Sequence, residues 1–94
     1  MIINVDLSPY RNKYMLVFDE NFIKNFKGMR TFLLIPSRIL GISYPDYLRF
    51  ASSLGGVVIG KTGYPGVYFD KKEDAEKLQK IVIDYWNKGI KKFD

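Results

Sequence analysis

The run Gly55-Gly56-Val57-Val58-Ile59-Gly60-Lys61-Thr62 satisfies the spacing G-x-x-x-x-G-K-[ST]. In a phosphate-binding loop of that form, backbone N–H groups wrap the anion and a helix starts right after the lysine. Here Val57, Val58 and Ile59 suit a strand, and a helical pattern precedes the match. Gly63, Pro65 and Gly66 follow it and forbid an immediate helix. The run reads as a helix stop feeding a β-hairpin.

A second constellation is Pro45-Asp46 followed by Asp70-Lys71-Lys72, the spacing used by metal-dependent nucleases. Such enzymes hold Mg²⁺ with two carboxylates and keep a lysine near the attacking water. Both aspartates have simpler roles as helix-capping residues. Ser52 and Ser53 have no base near them in sequence and read as local hydrogen-bonding groups. The 94 residues include no His and no Cys. That removes disulfides, thiolate and imidazole metal ligands, Cys nucleophiles and every triad that needs imidazole. A non-enzymatic protein with no metal and no cofactor is the expectation.

The chain is the length of one small domain, residues 1–94. With 47% hydrophobic and 16% aromatic residues it should fold. Its longest apolar runs, such as residues 32–35, fall far short of the roughly 18 residues of a membrane span, so no membrane partner is expected. The first residues lack the basic start and apolar core of a signal peptide, which predicts a cytoplasmic protein. Richness in Lys, Ile, Asn, Tyr and Phe suggests an AT-rich genome, a viral one included.

Alternation at Ile3, Val5 and Leu7 allows a short N-terminal strand, and residues 14–18 make a better one. Asp19 can cap a helix over residues 20–27, with Phe22, Ile23 and Phe26 on one face and Gly28 at its stop. Residues 31–35 read as a continuously apolar strand ended by Pro36. Ser43, Pro45 and Asp46 open a helix that Gly55-Gly56 closes. Residues 57–60 and 67–69 form a hairpin around a Tyr64-Pro65-Gly66 turn. Asp70, with Glu73 three residues on, starts the strongest helix, whose stripe is Ala75, Leu78, Ile81, Val82, Tyr85 and Trp86. Glu73–Lys77, Glu76–Lys80 and Asp84–Lys88 are favourable i,i+4 pairs. These elements predict an α+β fold, a small two-layer sandwich. Its order is ferredoxin-like (strand-helix-strand-strand-helix from Thr31), with an extra N-terminal strand.

The formal net charge is +5. From Arg11 to Arg38 six bases face only Asp19 and Glu20, whereas from Lys61 onward eight bases face six acids. The first stretch is the better candidate for phosphate contacts. In the hairpin, Gly63 to Phe69 followed by Glu73-Asp74-Ala75 resembles the RNP1 strand and following helix of an RNA-recognition motif. The resemblance puts Tyr64 at a base-stacking position. It departs from the family at Gly66, where a second aromatic belongs, and at Thr62, where a base belongs. Strand alternation sets Tyr68 opposite Val67 and Phe69, on a sheet face left open if helices cover the other.

Nucleic-acid binding leads on this reading. Arg11, Lys13, Arg30, Arg38 and Lys61 would contact phosphates, and Tyr64 and Tyr68 would stack. The alternative is a protein-interaction module, self-associating or docked as an inhibitor on another protein. Its markers are Ile83, an apolar residue among the polar positions of the last helix, and Phe93 in the tail.

Overall fold

The computed structural model describes residues 2–5, 13–26, 34–59 and 66–88. They form a mixed α+β fold around a four-stranded antiparallel sheet. The strands are β1 (Ile2–Val5), β2 (Lys13–Leu16), β3 (Val57–Ile59) and β4 (Gly66–Phe69). The helices are α1 (Glu20–Ile23), α2 (Leu34–Leu40), α3 (Tyr44–Ser53) and α4 (Lys72–Lys88). Sheet order is β1-β2-β4-β3, so β1 and β3 are the edges.

Of the strand expected over residues 31–35, residues 31–33 lie outside the described residues, and the other two are helical. Leu34 and Ile35, read as the end of a strand, open α2. A short apolar run has no periodicity to separate strand from buried helix. Pro36 lies in the first turn, where its missing N–H leaves no intrahelical bond unmade. Ile35 and Ile39, one turn apart, are both buried. The central partner of β4 is instead β2, in the stretch where a strand was expected to complete the sheet; Tyr14 lies opposite Phe69 and Met15 opposite Tyr68.

Local chemistry sets the helix boundaries. The Asp19 carboxylate accepts from the Phe22 N–H at 2.8 Å, and the Ser43 hydroxyl accepts from the Asp46 N–H at 3.2 Å. Both residues satisfy a backbone donor that has no partner within its helix. The helices α2 and α3 stop in the same way. Gly41 and Gly55 take φ of 70° and 97°. The next residue, Ile42 or Gly56, donates back to Ser37 or Ala51 at 3.1 and 3.0 Å. That pair of features is the Schellman cap, and its left-handed position favours glycine.

The helix side of the sheet carries the main core. Leu16, Val67 and Phe69 lie under Ala75, Leu78 and Val82 of α4, Ile35 and Ile39 of α2, and Tyr47 and Ala51 of α3. The rings of Phe18, Phe22, Phe26 and Trp86 join α1 to the end of α4, with centroids 4.9–5.6 Å apart from Phe22 to Trp86 and from Phe26 to Trp86. Such tilted pairs add to simple area burial. The opposite face holds a smaller apolar cluster of Val5, Met15 and Tyr68, with Ile3 and Val17 against it.

Candidate functional site

Arg11, Arg30, Lys61, Tyr64 and Phe93 lie outside the described residues. Lys13 is on β2, in register with Val5 and on the same face as Met15, and it forms an ion pair with Asp70. Arg38 is exposed on α2, in the helix layer on the other side of the sheet. The described members of the basic set are therefore not gathered on one face. Tyr68 does point away from Val67 and Phe69, but only 1% of it is exposed. The expectation of an open stacking ring is corrected: Met15 and Val5 pack with it in a closed apolar cluster. Ile83 is half-buried.

The residues of the two catalytic patterns are occupied structurally. Asp46 sits in the first turn of α3 and pairs with Arg49. The Arg49 guanidinium, with the Ser43 hydroxyl, holds the Asp46 carboxyl below its usual range. Asp70 precedes α4, and its carboxylate pairs with Lys13 across the β2–β4 pair. In the phosphate-loop pattern, Gly55 is the helix stop and Val57–Ile59 is strand β3. Gly60 to Thr62 lie outside the described residues. Ser52 and Ser53 are exposed at the end of α3, where the Ser53 hydroxyl donates to the Phe50 carbonyl at 2.6 Å. Burial pushes the Tyr47 phenol up, so it stays neutral within the core. No helix among the described residues is long and apolar enough to cross a membrane.

What the structure does bring together is apolar. Leu40 and Ile42 from the end of α2, Phe50 from α3, and Ile81 and Tyr85 from α4 line a cleft of about 210 Å³. Ile42 is 38% exposed and Tyr85 54%. The Schellman cap of α2 aims the chain so that Ile42 reaches the cleft while its N–H is satisfied by Ser37. Ile81 and Tyr85 are four residues apart, hence stacked on one face of α4.

The surroundings of the cleft carry charges of both signs, the Asp46–Arg49 pair among them. Among the described residues no ion pair joins Glu73 to Lys77, Glu76 to Lys80 or Asp84 to Lys88, although each acid lies one turn before its lysine. Along α4, Glu73 and Asp74 lie one turn before Lys77, Glu76 one turn before Lys80 and Asp84 one turn before Lys88.

Periodicity assigned Ile81 and Tyr85 to the core stripe and left Ile42 and Phe50 without a role. A signal was present in the breadth of that stripe. At 100° per residue, its six apolar positions span an arc of about 140°. Buried Ala75, Leu78 and Val82 occupy the middle, and Ile81 and Tyr85 fall at one flank. No protein-family model, no curated protein and no solved structure matches the chain.

Proposed function

We propose that this domain is a non-enzymatic protein-interaction module, and that the cleft between α2, α3 and α4 receives apolar side chains of a partner polypeptide. One observation carries the reading: Ile42 and Tyr85 are solvent-exposed beside the half-buried Leu40, Phe50 and Ile81, in a concave site. Scattered exposed apolar residues are ordinary, but a contiguous concave group of five is the kind of surface that binding uses. Its aromatic members suit an interface centre, where Tyr and Phe are enriched. The nucleic-acid reading draws less support. Of its described residues, Tyr68 is buried, Lys13 is paired with Asp70, and Arg38 lies across the sheet from Lys13.

Indole, a stand-in for one aromatic side chain, provides a first test. In methyl-labelled protein, titration is expected to shift the Leu40, Ile42 and Ile81 signals together and saturably, and Tyr85→Asp should abolish the effect. Shifts confined to other methyl groups would overturn the proposal. So would saturable oligonucleotide binding that weakens steeply with salt and depends on Arg11, Arg30 and Lys61.

A further inference from the structure

Among the described residues, four large apolar side chains are exposed: Ile42 and Tyr85 at the cleft, and Val57 and Val58 on β3. The cleft does not account for the second pair. Residues directly opposite each other in a sheet share a face. Val57 lies opposite Tyr68, on the face away from the helices, and Val58 lies opposite Val67, on the helix side. Val57 is 60% exposed and Val58 36%, so cover is incomplete on both sides of the strand. The other edge differs. On β1, Val5 is buried, Ile2 and Ile3 are half-buried, and only Asn4 is exposed.

The backbone of β3 is also open. Among the described residues it pairs only with β4. An edge strand turns alternate N–H and C=O groups outward, where another strand can bond to them, and a charge or a proline normally guards such an edge. Val57-Val58-Ile59 has neither.

We infer that β3 pairs with β3 of a second copy of this chain, antiparallel about a two-fold axis at Val58. This surface is separate from the cleft and does not depend on it. The occupant follows from the strand's match to itself. In that register Val57 lies opposite the partner's Ile59, and the two Val58 side chains meet on the axis. All three residues are β-branched or otherwise suited to strands, and no like charges meet within the pair. The joined sheet is antiparallel throughout, as each copy already is. An isologous contact of this kind closes on itself, so pairing stops at two copies. With three residues from each strand, the interface falls below the roughly 1,000 Å² of a stable complex, and the dimer is a weak one that forms at high concentration.

Sedimentation equilibrium over a concentration series tests the pairing. The native chain should pass from monomer toward dimer as its concentration approaches about 1 mM. Val58→Lys and Val58→Glu, each alone, should raise the dissociation constant about tenfold or more, because like charges then lie directly opposite on the axis. An equimolar mixture of the two variants should regain the dimer, since opposite charges then meet. Tyr85→Asp should leave the dimer unchanged, because the cleft is elsewhere. A native chain that stays monomeric would overturn the inference, as would a dimer that both Val58 variants retain or a mixture that does not reassociate. Amide exchange in the native chain gives a check that needs no variant. At least one amide of residues 57–59 should exchange more slowly as concentration rises, and rates independent of concentration would overturn the pairing too. Thermal melting of the Val58 variants would verify that they fold.

Discussion

Gly56→Ala is expected to destabilise the domain by about 3 kcal/mol, the upper part of the range for overpacking a core. A Cβ at Gly56 would sit 2.3 Å from Val67 Cγ1 and 3.0 Å from both the Ala51 carbonyl oxygen and Phe69 Cζ. Two of these neighbours cannot yield cheaply. The Ala51 oxygen is backbone and already accepts from the Gly56 N–H, and Phe69 is fully buried. The glycine lets the end of α3 lie against β4 as the chain turns into β3. A domain of this size should lose roughly 12–24 °C in melting temperature. Gly66→Ala is the internal control. Its added Cβ meets chiefly Met15 Cε at 2.4 Å, the end of a flexible side chain that can swing away. Equal losses at the two positions would contradict this packing.

Tyr68→Ala should cost about 3–5 kcal/mol, as for other large aromatic truncations in cores. The ring is buried with Met15 and Val5, in the middle of the sheet, with β2 on one side and β3 on the other. Its removal would leave a cavity bounded by strands that hold one another in register. Chemical denaturation reads the loss directly. A ring that stacks on bases in solvent would behave differently, since its truncation would leave stability near the native value. An unchanged denaturation midpoint would therefore return Tyr68 to the surface role read from strand alternation.

Much of the architecture was legible where local chemistry and periodicity agree. Ser43 with Pro45 marked the start of α3, Gly55-Gly56 its end, and the stripe through Ala75, Leu78 and Val82 marked α4. The hairpin strands β3 and β4 followed from the apolar runs at residues 57–59 and 67–69, whereas Gly66, read as a turn residue, belongs to β4 opposite Ile59, and Tyr64 and Pro65 lie outside the described residues. The failure at residues 34–35 has a physical cause, because an uninterrupted apolar run satisfies a buried strand and a buried helix equally. Alternation placed Tyr68 on the correct side of its strand, yet it could not report that this second face is also covered. Asp70 was read from its neighbours in sequence as a cap, whereas its partner Lys13 is 57 positions away. The cleft was hidden for a similar reason. Leu40, Ile42, Phe50, Ile81 and Tyr85 come from three helices and the turn after α2, and only their assembly separates the flank of the α4 stripe from its buried centre.

The cleft as the working surface is tested most directly by the dissociation constant of indole for three proteins: native, Tyr85→Asp and Val57→Asp. Val57, 60% exposed on the edge strand β3, is the competing apolar surface. Tyr85→Asp should weaken binding by about thirtyfold or more, the loss expected when an interface hot spot is removed. Val57→Asp should leave it within about threefold. The opposite pattern, with binding lost at Val57 and kept at Tyr85, would contradict the cleft and move recognition to the sheet edge.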